Sequence, residues 1–146
     1  MPDKIIEQLA NDLFHLMPMF KNNLIKPLEK TAKTLSPMQI HILLYLKGKE
    51  PISMSELAAG LNILKQQMTH LTDKLEENNL IVRIHDKKDR RSVKVSITQS
   101  GIDYLNDFRK EALDMIMSKL EQLSAEDIDE LHGAMHSIYK IMKKLS

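Results

Sequence analysis

The chain of 146 residues contains no cysteine, and this absence excludes disulfide bonds, thiolate redox sensors and cysteine-based zinc sites. Only four glycines are present, which indicates a mainly helical fold with tight connections. No apolar run approaches the roughly eighteen residues that a membrane span requires, and the N-terminus lacks a secretory signal. These absences predict a cytoplasmic protein with no membrane partner.

Motifs that mark an enzyme are also missing. The sequence has no Gly-rich phosphate loop, nucleophile elbow or paired histidine-carboxylate motif, and catalysis needs such converging groups. We therefore predict that the protein is not an enzyme and needs no cofactor. His132 and His136 stand four residues apart, with Asp129 one turn earlier, which suits a cation on one helix face. Because two ligands without a third seldom hold a metal, we interpret these histidines as solvated and predict no metal site.

Positive charge is concentrated in the middle of a chain whose net charge is only +1. Residues 62–98 hold eight Lys or Arg against five Asp or Glu, whereas residues 101–146 hold six against nine. A basic centre in a near-neutral chain is typical of a localised nucleic-acid contact. With 42% hydrophobic residues, a chain of this length can bury one modest core, so we predict a single domain.

Two helix starts are visible before the basic centre. Ser36-Pro37-Met38-Gln39 combines an N-cap serine, a proline at the first helical position and a capping-box glutamine. The helix that it opens is apolar on most sides to about Lys47, so we expect it to be buried, with His41 as a core or pocket histidine. Ser53-Met54-Ser55-Glu56 is a second capping box. We expect its short helix to end at Gly60.

The next helix and two alternating runs complete a recognisable pattern. Met68, Leu71 and Leu75 recur at intervals of three and four, which places them on the buried face of a helix. Residues 80–85 and 92–98 alternate in polarity around a charged connection at 86–91, as two strands of a hairpin do. The predicted fold is mainly α with a small β-hairpin wing. This is a winged helix-turn-helix, whose second helix enters a DNA groove while the hairpin reaches beside it.

The polar face of that second helix and the charged hairpin carry side chains that suit DNA. Glutamine bonds adenine in the major groove, lysine serves guanine or phosphate, and threonine meets a thymine methyl. Hairpin cations suit phosphates and the narrow minor groove. The predicted helix contacts are Lys65, Gln66, Gln67, Thr69, His70 and Lys74. The predicted hairpin contacts are Lys87, Lys88, Arg90 and Arg91.

Apolar stripes at both ends of the chain exceed what one compact winged helix can cover, so we expect a second copy to cover them. The N-terminal stripe includes Ile5, Leu9 and Leu13. The C-terminal stripe includes Ile128, Leu131, Met135, Ile138 and Met142. A two-fold dimer sets two reading helices about 34 to 36 Å apart, one turn of DNA. Within the first stripe, Pro18 predicts a kink near His15.

Six short motifs follow one another with characteristic spacings: Leu35-Ser36-Pro37-Met38-Gln39, Glu56-Leu57-Ala58, Met68-Thr69-His70-Leu71, Leu80-Ile81-Val82-Arg83, Asp89-Arg90-Arg91 and Ile97-Thr98-Gln99-Ser100-Gly101. The ordered set resembles the MarR family of bacterial winged-helix transcription regulators over essentially the whole chain. The resemblance implies a homodimer on a pseudo-palindromic double-stranded operator, usually a repressor released by a small ligand. Residues 36–98 would be the DNA-binding lobe, and residues 1–34 with 100–146 the dimerisation helices. Asp89 would orient Arg91, which would reach the minor groove.

The resemblance also has departures and leaves alternatives. Leu64 stands where the family usually has a Ser or Thr cap, Asn79 replaces a glycine, and His70 replaces a frequent arginine. The family's effector pocket lies between the dimer helices and the DNA-binding lobe, and ten methionines suit a small apolar or aromatic effector. Its candidate residues are Met17, His41, Tyr45 and Arg109. A winged helix that binds protein instead of DNA and a zinc-responsive regulator using His41 remain as alternatives.

Overall fold

The computed structural model of the protein describes residues 2–31, 35–89 and 91–146. Its helices are α1 Pro2–Phe20, a π-helical turn Lys21–Ile25, α2 Lys26–Thr31, α3 Pro37–Leu46, α4 Met54–Leu61, α5 Lys65–Glu77, α6 Gln99–Leu120, α7 Ala125–Met142 and a 3₁₀ turn Lys143–Leu145. Its strands are β1 Ile52–Ser53, β2 Ile81–His85 and β3 Val93–Ile97, which form one antiparallel sheet in the order β1-β3-β2. The predicted class, mainly helical with a small wing, is confirmed.

The chain forms two compact units, residues 1–111 and residues 112–146. The core of the first unit is built by α3, α4, α5 and the sheet. Its most deeply buried apolar side chains are Ile42, Leu43, Leu46, Leu57, Met68, Leu75, Ile81 and Val95. Each large apolar side chain removed from water contributes roughly 1.5 to 3 kcal/mol. Met68 and Leu75 therefore anchor α5 by the face that the sequence predicted.

Helix α3 begins with the predicted capping box. The Ser36 hydroxyl accepts from the Gln39 N–H at 3.2 Å, and Gln39 Oε1 accepts from the Ser36 N–H at 2.8 Å. Gln39 Nε2 also donates to the Leu71 carbonyl at 3.3 Å, which links α3 to α5. Gln39 is only 4% exposed, so this hydrogen bond satisfies a buried amide.

The prediction that α3 is buried on most sides is wrong. Met38, His41 and Leu44 are exposed, and their spacing of three places them on one side of the helix. The opposite side packs into the core through Ile42, Leu43 and Leu46. His41 is therefore not a core histidine, because α3 packs by a single face.

Helix α4 does not end at Gly60 as predicted. It continues to Leu61, and Asn62 caps it in the left-handed conformation, with φ 53° and ψ 46°. Gly60 serves the packing instead, because a Cβ at this position would overlap Oη and Cζ of Tyr45. Glycine is present here because another side chain approaches the helix closely.

The predicted hairpin is confirmed and gains a third strand. β2 pairs with β3 along its whole length, and the two-residue strand β1, which the sequence did not indicate, pairs Ile52 with Val95 of β3. Ile81 and Val95 face the core and are buried. Val82 and Ile84 lie on the other face and are 43% and 44% exposed. One face of β2 therefore has little cover.

Helix α1 continues through Pro18 to Phe20. The irregular turn follows the proline, as the π-helical residues Lys21–Ile25. None of the residues of α1 is buried. Three of its apolar side chains are 70%, 55% and 45% exposed, namely Ile5, Leu9 and Leu13.

The second unit contains the end of α6 and all of α7. Helix α7 begins at the predicted cap, where the Ser124 hydroxyl accepts from the Asp127 N–H at 3.1 Å. Its apolar stripe is 40% to 48% exposed along its length, at Ile128, Leu131, Met135, Ile138 and Met142. Among the residues described, no helix combines the length and apolarity needed to cross a lipid bilayer.

Candidate nucleic-acid interface

Helix α5, the recognition helix, is held by one face and leaves the other in solvent. Met68 and Leu75 are fully buried, Leu64 occupies the N-cap without a side-chain hydrogen bond, and Asn79 follows the helix in the left-handed conformation, with φ 59°. The six residues predicted to read DNA are all exposed: Lys65, Gln66, Gln67, Thr69, His70 and Lys74. The local spacing of apolar residues was thus sufficient to find the free face.

The exposed residues of α5 differ in which of their groups remain free to contact a ligand. The Thr69 hydroxyl donates to the Lys65 carbonyl at 3.1 Å, so its proton is used within the helix and its methyl group remains for an apolar contact. Gln66, Gln67 and His70 line a cleft of about 530 Å³ together with Met38, Ile63 and Leu71. Amide groups beside an apolar floor match a major-groove edge, which offers donors, acceptors and the thymine methyl.

The wing, formed by β2, β3 and the connecting residues 86–89 and 91–92, has a tip stabilised by two aspartates. Asp86 Oδ1 accepts from the Lys88 N–H, and Asp89 Oδ1 accepts from the Arg91 N–H, both at 3.0 Å. The tip is closed by backbone bonds from the Asp86 N–H to the Ser92 carbonyl and from the Ser92 N–H to the Asp89 carbonyl. Such local bonds from aspartate to the backbone are typical of tight turns. Asp89 acts on Arg91 through the backbone at that position.

Arg91 and Lys65 line the same cleft, of about 390 Å³, between the wing and the starts of α4 and α5. The other residues around it are Ser53, Met54, Ser55, Asp89, Ser92 and Val93. The fold therefore places a wing cation and the first residue of the recognition helix around one cleft. Lys87 and Lys88 are exposed on the wing, whereas Arg90 lies outside the described residues.

Sequence reasoning missed a connection between the wing and the recognition helix. Arg83 of β2 donates from Nη2 to Asp73 Oδ1 at 2.6 Å and to Thr72 Oγ1 at 2.9 Å, and from Nη1 to Glu76 Oε1 at 3.2 Å. Its side chain is 20% exposed. The hint in the sequence was an arginine between apolar residues of a strand.

The residues predicted for an effector pocket do not line the two clefts just described. Met17 is 66% exposed, and His41 and Arg109 are also exposed. Tyr45 is half-buried, with Lys49 Nζ lying 3.2 Å from its ring centroid. These four side chains are reachable from solvent, but the geometry around them does not define a ligand.

The histidines considered for a metal site lie on α7. Asp129, His132 and His136 are all exposed. Within the parts of the chain that the structure describes, no three side chains of the His, Asp and Glu type are grouped closely enough to hold a metal ion.

The fold, with lysines on the exposed face of α5 and cations on the wing, defines a winged helix-turn-helix protein. The sequence profile of the MarR family matches residues 35–93, from the residue before the α3 cap to the first residue of β3. The chain belongs to the MarR family. This agrees with the ordered motifs along the sequence and with the arrangement of α3, α4, α5 and the wing.

Relatives and solved structures of similar fold extend the comparison. The chain is 30% identical to the HTH-type transcriptional repressor MdtR of Bacillus subtilis (strain 168) over 99 residues, which are 68% of this chain and 63% of MdtR. It is 35% identical to the HTH-type transcriptional regulator YdgG of the same organism over 111 residues, 75% of this chain and 68% of YdgG. The similarity to MdtR thus spans less than two thirds of that protein. A mutant of MepR from S. aureus bound to an oligodeoxyribonucleotide shares the fold, with a TM-score of 0.69 and 22% identity over 92% of this chain and 98% of that one.

Proposed function

We propose that the protein is a cytoplasmic transcriptional repressor that binds double-stranded operator DNA as a homodimer. The observation that carries this proposal is the exposed polar face of α5 beside a wing whose Arg91 shares a cleft with Lys65. Two cations on one cleft suit a DNA phosphate, because phosphates supply most of the affinity in protein–DNA contacts. The names of MdtR, a repressor, and of MepR, whose mutant was solved with an oligodeoxyribonucleotide, support the same function.

In this proposal α5 enters the major groove and the wing follows the adjacent minor groove. Gln66, Gln67 and His70 face base edges from the cleft that they share. Arg91 extends from a turn that Asp89 holds through the backbone. A narrow minor groove has an enhanced negative potential, so an arginine presented there favours A-tract sequence. Phosphate contacts then set the register and the α5 amides set the sequence preference.

The dimer follows from apolar side chains that remain in water. Along α7 the stripe is at least 40% exposed at each of its five apolar positions, and α1 has no buried residue. Monomeric proteins rarely leave such contiguous apolar surface uncovered. We propose that a second copy covers both stripes, at Ile5, Leu9 and Leu13 and at Ile128, Leu131, Met135, Ile138 and Met142.

We also propose that a small apolar or aromatic effector releases the repressor. Such a ligand acts only through different affinities for dimer states with different spacings of the recognition helices. Met17, His41, Tyr45 and Arg109 are its proposed contacts, and their accessibility supports the proposal. A ligand screen that shifts the DNA affinity of the wild-type protein, but not of a Tyr45→Ala variant, tests it.

The function is tested by selecting bound fragments from random duplex DNA with purified protein and then measuring affinity against salt. We expect affinity to fall steeply as salt rises and Arg91→Ala to weaken binding. Lys87→Ala, which removes an exposed wing cation suited to phosphate, is expected to flatten the slope of log K against log salt by about one. Lys110→Ala is the control, because Lys110 is an exposed cation on α6. A protein that is strictly monomeric at micromolar concentration, or that prefers no duplex over heparin, contradicts the proposal.

A further inference from the structure

We propose that Arg83 is a positioning residue that fixes the wing relative to the recognition helix, so that the two meet DNA as one body. This inference rests on the proposed DNA-binding function. It assigns the connection between the wing and the recognition helix to one guanidinium group, which contacts α5 at Thr72, Asp73 and Glu76.

The geometry of the guanidinium group suits a rigid joint. Arg83 uses both terminal nitrogens, and its acceptors at Thr72, Asp73 and Glu76 lie within about one turn of α5. An arginine fork is planar and always charged, so several hydrogen bonds fix its orientation as well as its position. Its own side chain is 20% exposed, whereas Asp73 and Glu76 are 51% and 41% exposed. Arg83 is thus better covered than the two carboxylates that it contacts.

At the buried end of the contact, the Thr72 hydroxyl can only accept a hydrogen bond from Arg83. Thr72 is fully buried, and its hydroxyl proton is directed to the Met68 and Thr69 carbonyls at 2.9 and 3.1 Å. Its oxygen is therefore left as an acceptor, which Arg83 satisfies at 2.9 Å. Arginine carries donors and no acceptor, so its charge and its polarity both match what α5 presents. A neutral amide at position 83 has fewer donors and no charge.

The position of Arg83 along β2 explains why its contact would affect the wing tip. On the inward face of β2, Ile81 is buried in the core, Arg83 comes next, and His85 at the end of the strand is exposed. On the outward face Val82 and Ile84 are both more than 40% exposed. Arg83 is thus the last well-covered residue of β2 before the tip that carries Arg91. Loosening it would let the tip move relative to α5.

Charge supplies a second reason for an arginine at this position. The recognition helix carries acids at positions 73, 76 and 77 and lysines at positions 65 and 74, an unfavourable balance beside DNA phosphates. Arg83 pairs with two of the three acids. If Arg83 only shields these acids, neutralising them should favour DNA binding. If Arg83 positions the wing, neutralising them should reduce the contribution of Arg91. The two roles can therefore be separated.

The first test is a double-mutant cycle between Arg83→Gln and Arg91→Ala, read as affinity for a selected operator. In the wild-type background we expect Arg91→Ala to weaken binding about tenfold. In the Arg83→Gln background we expect Arg91→Ala to weaken binding less than about threefold, because a wing that Arg83 no longer holds would not keep Arg91 in contact with DNA. Arg83→Lys, which keeps the charge without the fork, is expected to fall between these values.

Lys94→Gln is the matched control. It also removes one positive charge from the hairpin, at an exposed position of β3 opposite Ile84. Its cycle with Arg91→Ala is expected to be additive. A general loss of stability in Arg83→Gln would lower the concentration of folded protein without changing the ratio that Arg91→Ala produces, so the cycle reports coupling and not stability.

The second test is the double variant Asp73→Asn with Glu76→Gln. Removing two negative charges from the recognition helix favours DNA by electrostatics alone. If Arg83 positions the wing, Arg91→Ala should weaken DNA binding by this double variant at most half as much as it weakens binding by the wild-type protein. Retention of the full Arg91→Ala effect in this variant, or an additive Arg83 cycle, overturns the inference. Absence of duplex binding by the wild-type protein would instead overturn the proposed function.

Discussion

Replacing Gly101 by alanine tests the packing between the wing and α6. Gly101 lies in the first turn of α6 and is buried. A Cβ at this position would overlap the Leu80 carbonyl oxygen and would lie 2.6 Å from Ile97 Cγ1 and 3.2 Å from Ile97 Cδ1. The carbonyl cannot simply move away, because it accepts the Thr98 N–H at 3.1 Å.

The magnitude follows from opposing effects. Alanine improves helix propensity by about 1 kcal/mol over glycine. Overpacking costs about 1 to 3 kcal/mol, and a weakened backbone hydrogen bond costs about 1 kcal/mol more. Because the neighbour is backbone, we expect the upper part of that range and a net loss of about 2 to 3 kcal/mol in the free energy of unfolding. The melting temperature then falls by roughly 5 to 10 °C.

Urea denaturation followed by circular dichroism measures the effect, at one protein concentration, because the proposed dimerisation would make stability concentration-dependent. Gly133→Ala is the matched control, since Gly133 also lies within a helix and a Cβ there meets nothing within 4 Å. We expect this variant to gain up to about 1 kcal/mol. The reasoning is refuted if Gly101→Ala is as stable as the wild-type protein while Gly133→Ala behaves as expected.

Three further predictions concern a cap, a close contact and the dimer. Ser36→Ala removes the hydroxyl that accepts from Gln39, so we expect a loss of about 1 kcal/mol in the same denaturation assay; no loss would contradict the role of the cap. Gly60→Ala is expected to cost less than Gly101→Ala because the overlapping group is the Tyr45 side chain, and Tyr45→Phe should recover part of the loss; a larger cost, or no recovery, argues against this contact. Leu131→Glu places a charge in the α7 stripe, and light scattering should show mainly monomer at micromolar concentration; an undiminished dimer would exclude Leu131 from the interface.

The parts of the fold that the sequence predicted are those set by local interactions. The capping box of Ser36 and Gln39 depends on residues three apart, and the buried face of α5 depends on the helical spacing of Met68 and Leu75. The wing was found from alternation and charged turn residues. In each case the residues that decide the structure are close together in the sequence, so their pattern carries the information.

The parts that were missed depend on partners in other helices or strands. Gly60 was taken for a helix end, but its reason is the ring of Tyr45 in another helix. Strand β1 is only two residues long and exists because β3 pairs with it. Arg83 was grouped with the basic centre, although its partners lie seven to eleven residues earlier on α5. Propensity and periodicity do not encode such contacts.

The same limit applies to the candidate interface. Exposure of all six residues of α5 that are predicted to contact DNA could be predicted from one helical stripe. The shared cleft of Lys65 and Arg91 required the fold, since 26 positions in the chain separate them. That cleft and the Arg83 contact show that the wing and the recognition helix are arranged by nonlocal packing, which a single sequence does not display.

The asparagines on either side of α5 have a practical consequence for engineering. Asn62 precedes the helix and Asn79 follows it, and both adopt the left-handed conformation that most side chains avoid. The chain direction therefore changes on both sides of the helix at residues outside α5 itself. A specificity library can keep these two joints, the inward Met68 and Leu75 and the Arg83 contacts on α5, and exchange the remaining outward positions of the helix.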